Sequence, residues 1–215
     1  MRRRIRDGWC HMIQGIVRAL AVPLLMGGLG SSVLLASQVR LIDLDQMTQR
    51  AARIFSGRCT GTRVDFDAAL GREVTVATFK VQRAIKGVKG GTVNVRVLGA
   101  AAAHGAPGDA PAGVPTFRAG DEVILFLYGE SAQGLSASVG LGQGHFRVLT
   151  DKRGRRVALN DLGNRNLLSG LRPELRARLA ARDDGSSQSQ SPRQREALDA
   201  ADLLDVVEAL VAADP

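Results

Sequence analysis

The amino-acid sequence predicts a mainly β fold, either a small five-stranded barrel or a strongly coiled antiparallel sheet, with helices at its C-terminal end. The first observation is Val74 to Gly87, which is rich in the β-branched and aromatic residues that favour strands. Its two-residue alternation changes phase at Val76–Ala77, which indicates a bulge or a strand covered on both faces, as strongly curved sheets require. The second observation is the helical spacing of apolar residues near the C-terminus.

Composition is typical of a globular protein. Of 215 residues, 45% are hydrophobic and 23% are charged, whereas only 4% are aromatic, so the core must consist mainly of Val, Leu, Ile and Ala. The formal net charge is +8. Half of it lies in residues 1–36, where five Arg and one Asp give +4. The rest of the chain is therefore not basic enough to indicate nucleic acid as a partner.

The first 36 residues have the pattern of an export signal. Arg residues precede Ala19 to Ala36, which is uncharged and interrupted by Pro and Gly. We expect this segment to be cleaved, leaving a protein in the periplasm, on the cell surface or secreted. The alternative is that residues 19–36 stay in place and anchor the protein in the cytoplasmic membrane.

The next elements follow from local patterns. Asp43 begins a short helix, with Gln46 completing a capping box. An Ala-, Gly- and Pro-rich run from Gly99 to Pro115 predicts a mobile loop. The predicted strands are Arg53–Val64, Val74–Gly87, Thr92–Leu98, a central strand within Phe117–Tyr128, two weaker strands within Ser136–Val148, and Arg156–Leu159.

Helical signals end the chain. Pro173 suits the first turn of a helix to Arg182. A last helix is expected to begin at Ser191-Pro192, and we expect its apolar stripe to dock on the domain itself, a partner protein being the alternative. The stripe is Ala200, Leu203, Leu204, Val207, Leu210 and Val211. The expected organisation is a signal peptide 1–36, a β domain 37–170 with loop 99–115, a helix 171–182, a linker 183–190 and an amphipathic helix 191–215.

Three segments carry a resemblance to a known family. They are AARIFSGRC (Ala51 to Cys59), TFKVQRAIKG (Thr78 to Gly87) and FRAGDEVILFLY (Phe117 to Tyr128). Their order resembles the OB-fold barrel of netrin modules and tissue inhibitors of metalloproteinases, and is similar to that of many small exported bacterial proteins. The resemblance covers about residues 43–150 and implies that the predicted barrel is OB-like.

The same resemblance supplies no inhibitory residue. Inhibitors of that family present a cysteine at the mature N-terminus, which chelates zinc, whereas here only Cys59 follows the expected signal. The disulfides of those modules are also missing, because Cys10 lies within the signal. A lone Cys59 in an apolar strand is expected to be a small buried hydrophobic residue, although intermolecular pairing stays open.

The residues with catalytic chemistry are few. The histidines are His11, His104 and His145, and a metal site would require Asp109 or Asp121 to converge on the last two. No close His or Cys spacing indicates such a site, so we predict no metal and no cofactor. Cys59 and His145 would form a nucleophile and base only if the fold brings them together. The GLGQG run before His145 predicts turns and not a phosphate loop, because it lacks the Gly-Lys-Ser/Thr ending.

One basic cluster is the predicted binding surface. Lys152, Arg153, Arg155 and Arg156 surround Gly154 at a predicted hairpin tip. The cluster is either a solvated turn or a contact for an anionic glycan or lipid. A nucleic-acid role is not expected, because no exposed aromatic platform accompanies the cluster.

The sequence therefore predicts a non-enzymatic binding or interaction module of the cell envelope. Its expected partners are an envelope protein or an anionic glycan or lipid. Two alternatives are a membrane-anchored structural protein and a hydrolase or metal-dependent enzyme that uses Cys59 and His145.

Overall fold

The computed structural model describes residues 40–100, 109–180 and 197–213. In this part of the chain, no helix combines the length and the apolar composition needed to cross a membrane. The predicted signal, residues 101–108 of the predicted mobile loop, the linker 183–190 and the predicted start of the last helix at Ser191 all lie outside the described residues.

The described residues form seven strands and three α-helices. In chain order they are α1 (Leu44–Arg50), β1 (Arg53–Asp67), β2 (Arg72–Lys86), β3 (Thr92–Leu98), β4 (Glu122–Leu127), a short 3₁₀ helix (Leu141–Gly144), β5 (His145–Thr150), β6 (Arg156–Asn160), α2 (Pro173–Ala180), β7 (Leu198–Asp199) and α3 (Ala200–Ala213). The predicted helix at Asp43 is confirmed, because the Asp43 carboxylate accepts the backbone N–H of Gln46.

All seven strands belong to one antiparallel sheet in the order β3-β2-β1-β4-β5-β6-β7. The predicted mainly β fold is therefore confirmed, whereas the number of strands is seven and not five. A barrel of five strands would close by pairing β3 with β5. Here β5 pairs with β4 and β6, and β3 has only β2 as its neighbour among the described residues. The sheet is open because β6 occupies the edge that closure would need.

The phase change at Val76–Ala77 reflects coverage of both faces. Residues 74–77 are all buried, so apolar side chains suit either face. No bulge lies there. The register shifts fall between Ile54 and Phe55, between Ser56 and Gly57, and between Cys59 and Gly61. Each shift adds a residue to one strand, which increases coiling of the β1–β2 pair.

The sheet has a hydrophobic core on each face. One core contains the helices together with Ile54, Ile124, Phe126 and Phe146. The other contains Phe55, Phe79, Phe117, Val123 and Leu125. Alternate residues of β4 supply the two cores, which explains the continuous apolar run predicted for a central strand.

One segment between β3 and β5 departs in part from expectation. Of the two weak strands expected within Ser136–Val148, the second is confirmed as the start of β5, whereas the first is replaced by a single bridge from Ser138 to Leu127 and the 3₁₀ turn. Its glycines favour tight turns over ladder pairing, which explains the difference. The ends of the long loop approach each other, since the backbone N–H of Ala100 donates to Oδ1 of Asp109 at 2.5 Å.

The last helix begins later than the sequence suggested. Leu198–Asp199 pairs with β6 as a short strand, and α3 starts at Ala200. The Asp199 carboxylate accepts the backbone N–H groups of Ala201 and Asp202, which fixes this start.

The predicted docking of the last helix on the domain is confirmed, since the apolar face of α3 joins the helical core. Its buried residues are Ala200, Leu203, Val206, Val207 and Leu210. The Arg83 guanidinium of β2 forms ion pairs with the polar face of α3, at 2.6 Å from Glu208 and 2.8 Å from Asp205.

Candidate functional site

Cys59 and His145 do not form a catalytic pair in the described structure. The Cys59 thiol is buried and donates to the Gly61 carbonyl at 3.5 Å. Burial raises the pKa of this thiol, so the reactive thiolate is disfavoured. His145 lies on β5, and β4 separates it from β1. Two inter-strand steps of about 4.8 Å each put the pair beyond hydrogen-bond reach.

The residues considered for a metal do not converge either. No three His, Cys, Asp or Glu side chains in the described ranges are grouped so that they would hold a metal ion. Oδ1 of Asp109 accepts a hydrogen bond from the backbone of Ala100, and His104 lies outside the described residues. Only Asp121 is near His145 among these candidates.

The predicted basic cluster lies at the turn between β5 and β6. The Arg155 guanidinium pairs with Asp151 at 2.8 Å. The Arg156 guanidinium pairs with Glu122 of β4, which also binds Arg58. Two of the four basic side chains are therefore already paired with carboxylates of the domain.

This pairing gives a first prediction. When Arg155 and Arg156 are both replaced with alanine, we expect the salt concentration that elutes the protein from heparin to stay almost unchanged. The reason is that both guanidinium groups are already paired with carboxylates of the domain. The matched control is replacement of Lys152, for which the turn shows no carboxylate contact. A large fall in the eluting salt concentration for the double variant would instead support the cluster as a polyanion site.

His145 is the unusual polar residue of the described structure. Its side chain is 5% exposed, and neither ring nitrogen has a hydrogen-bond partner among the described residues. The Phe117 ring packs edge-on against the imidazole with centroids 5.4 Å apart. A buried polar side chain without partners costs about 1–3 kcal/mol, so such groups are rare unless they serve a function.

The local sequence explains how this ring is placed. The 3₁₀ turn ends at Gly144, immediately before His145. A side chain at 144 would meet the Val139 backbone oxygen at 2.6 Å, so only glycine lets the chain pass there. The pairing of β5 with β4 then sets His145 opposite Leu125, on the face of the aromatic core.

A polar pocket of about 360 Å³ has His145 in its lining. Its lining combines two arginines, two aspartates and a short apolar wall. The lining residues are Val114, Pro115, Thr116, Arg118, Asp121, His145, Arg147 and Asp161. The volume lies within the range of small-molecule sites, and the lining is more polar than is usual for them.

Burial favours the neutral form of His145. Burial lowers the pKa of the imidazole, and the Arg147 cation acts in the same direction. The carboxylates of Asp161 and Asp121 oppose this effect but do not overcome it. Oδ2 of Asp161 lies 3.9 Å from Nδ1 of His145, too far for a direct hydrogen bond. A neutral imidazole offers the pocket one donor and one acceptor.

Three charged residues of the pocket were not identified from the sequence. Arg147 lies two residues beyond His145 and thus on the same face of β5, a signal present in the alternation of HFR. Arg118 belongs to the turn before β4, where its N–H donates to Oδ2 of Asp121 at 2.7 Å. Asp161 gave no signal, because the turn after β6 depends on tertiary hydrogen bonds.

Those hydrogen bonds are made mainly by Asn160. Its amide donates to the Gln143 carbonyl at 3.1 Å, and its side-chain oxygen accepts the N–H groups of Leu162 and Asn164. The turn brings Asp161 against Gly142, where an added Cβ would lie 2.7 Å from Oδ2 of Asp161. The GLGQG run therefore makes room for a carboxylate next to His145 and also leads into β5.

The buried imidazole also predicts a pH dependence of stability. The unfolded chain takes up a proton near the ordinary histidine pKa of 6.5, whereas the folded state does so only at lower pH. The free energy of unfolding should therefore fall as the pH drops below 6.5, by up to about 1.4 kcal/mol per pH unit, until the folded-state pKa is reached. Above 6.5 both states are neutral and the contribution is constant.

Urea unfolding between pH 8 and pH 5 measures this effect. The variant His145→Leu should lack the slope that begins near pH 6.5. Its loss of stability should start only near about pH 4, the ordinary carboxyl range in which the unfolded chain takes up protons, because hydrogen bonds and ion pairs hold the pKa values of Asp67, Asp151 and Glu122 lower in the folded protein. Parallel curves for the two proteins would contradict the burial of an uncharged His145.

Comparison of the chain with models of protein families, with curated proteins and with solved structures finds no match in any of the three.

Proposed function

We propose that this chain is an exported, non-enzymatic binding module whose ligand site is the His145 pocket. One observation carries the proposal, namely the buried imidazole with no hydrogen-bond partner at either nitrogen among the described residues. A ligand that supplies these partners would recover free energy that the folded protein otherwise lacks. Binding a ligand in this way requires no catalytic group.

Binding is better supported than catalysis. Thr116 is the one hydroxyl side chain among the residues that line the pocket, and no cysteine lines it. The hydrolase hypothesis depends on a thiolate beside His145, whereas the Cys59 thiol is buried in the aromatic core and bonded to its own strand. A positioned nucleophile within reach of its base is the minimum for covalent catalysis.

Export and the likeness to netrin modules belong to the same proposal. Export is supported by the basic and then apolar pattern of residues 1–36. The OB-like likeness is supported by β1, which lies between β2 and β4 and coils through its register shifts. Mass spectrometry of the mature protein tests export: a chain that begins near Ser37 supports cleavage, and an intact residue 1–36 segment favours the membrane-anchored alternative.

A titration of ¹⁵N-histidine-labelled protein tests the binding site. We expect at least one small polar probe, among acetate, methylammonium, inorganic phosphate and the common amino acids, to shift the ring nitrogens of His145 in a saturable manner. The variant His145→Leu should be more stable than the wild type by about 1–3 kcal/mol, because an unpaired buried polar group is removed, and should lose the binding. If no probe moves these signals, the proposed site is wrong.

A further inference from the structure

We infer that the His145 pocket selects a small zwitterion, a molecule that carries one carboxylate and one ammonium group. This inference rests on the proposed binding function and names the class of ligand. It follows from the arrangement of charges at the pocket, which contains two cationic and two anionic side chains around an uncharged imidazole.

The two arginines of the pocket call for an anionic group. Arg118 and Arg147 both line it, and neither makes an ion pair with a described residue. By contrast, Arg53, Arg83, Arg96 and Arg156 each pair with a carboxylate of the domain. The fork of a guanidinium matches a carboxylate in two parallel hydrogen bonds. Two such groups at one pocket therefore favour a carboxylate ligand.

The two aspartates of the pocket call for a hydrogen-bond donor with positive charge. Oδ2 of Asp161 lies 3.9 Å from the imidazole, and Asp121 is close enough to act on the charge of the same ring. An ammonium group beside Asp161 would donate to its carboxylate and, once the ring of His145 turns to expose a buried nitrogen, to the acceptor nitrogen of the neutral imidazole. It would satisfy one of the two unpaired nitrogens of His145.

Charge balance excludes the simpler ligands. With His145 neutral, two arginines and two aspartates give the pocket no net charge. A plain anion would bind the arginines but meet repulsion from two carboxylates, and a plain cation would meet two guanidinium groups. A zwitterion pairs with both sides at once. A pocket of about 360 Å³ is at the lower end of the range for ligand sites, so the molecule is small.

Calorimetric titration tests the inference on the whole protein. The probes are the common amino acids, each taken singly, together with acetate, methylammonium and inorganic phosphate. We expect at least one amino acid to bind with a dissociation constant at least about tenfold lower than that of acetate or methylammonium. The substitutions Arg118→Gln and Asp161→Asn should each weaken that binding by about tenfold or more.

Matched substitutions outside the pocket provide the controls. Arg72→Gln and Asp65→Asn change the same types of charge at exposed positions of the β1–β2 hairpin and should leave the affinity unchanged. Amino-acid binding that survives both Arg118→Gln and Asp161→Asn would overturn the inference. Acetate or phosphate binding as tight as that of any amino acid, and lost in His145→Leu, would also overturn it while the binding function stands. Absence of binding by every probe would refute both.

Discussion

Replacing Phe79 with alanine is expected to lower the free energy of unfolding by about 3–5 kcal/mol. Phe79 is fully buried in β2 and lies at the centre of the aromatic core. Its ring meets the Phe55 ring edge-on at a centroid distance of 5.8 Å and the Phe117 ring at 5.1 Å. Truncation leaves a cavity that the paired strands on either side cannot fill, because backbone hydrogen bonds fix their spacing.

The effect should extend to the binding pocket. Phe117, which packs on Phe79, also packs on His145 at 5.4 Å. Loss of the Phe79 ring therefore leaves Phe117 with less support and allows the imidazole to move. We expect weaker ligand binding by Phe79→Ala even under conditions in which the variant is folded.

Denaturant unfolding followed by circular dichroism measures the change, and Phe66→Ala is the matched control. Phe66 is 69% exposed near the end of the β1–β2 hairpin. Truncation there should change the free energy of unfolding by no more than about 0.5 kcal/mol. Equal destabilisation by the two substitutions would show that the aromatic core does not hold the sheet as described.

The elements governed by local chemistry were predicted well. The Asp43 cap and the strand Thr92–Leu98 each depend on neighbouring residues, so their patterns are visible in the sequence. The end of β1 was placed at Val64, whereas the strand continues to Asp67. Cross-strand pairing with β2 sustains those last residues, which lack apolar alternation of their own.

The arrangement of the sheet depends on contacts between distant residues. Whether β5 closes onto β3 or pairs with β6 is decided by the tight turn at Asp151–Gly154, which returns the chain beside β5. Equally, Asp161 reaches His145 only because Asn160 bonds to the Gln143 carbonyl. Turn residues such as Asn indicate that the chain turns. They do not indicate which side chain the turn places at a site. The candidate site could therefore be predicted only as far as His145 and Asp121.

Gly144→Ala should have the second-largest effect, a destabilisation of about 1–3 kcal/mol with displacement of His145. An added Cβ would lie 2.6 Å from the Val139 backbone oxygen, 2.8 Å from its nitrogen and 2.9 Å from the Phe126 oxygen. These are backbone atoms, and the Val139 N–H donates to the Phe126 oxygen at 2.9 Å. No flexible side chain can give way, so the clash must move the segment that leads into His145.

Gly91→Ala provides the matched control for this substitution. A Cβ at position 91 would meet no atom within 4 Å, and its backbone is not left-handed, so the same change should be neutral or stabilise by about 0.4–1 kcal/mol. Thermal unfolding compares the two variants, and the ring signals of ¹⁵N-labelled His145 report its displacement. If Gly144→Ala matched Gly91→Ala in both measurements, the turn would not be what positions the imidazole. If Gly144→Ala instead lost stability and shifted the His145 signals together, Gly144 would be a determinant of the pocket, because only glycine there lets the chain pass the Val139 and Phe126 backbone.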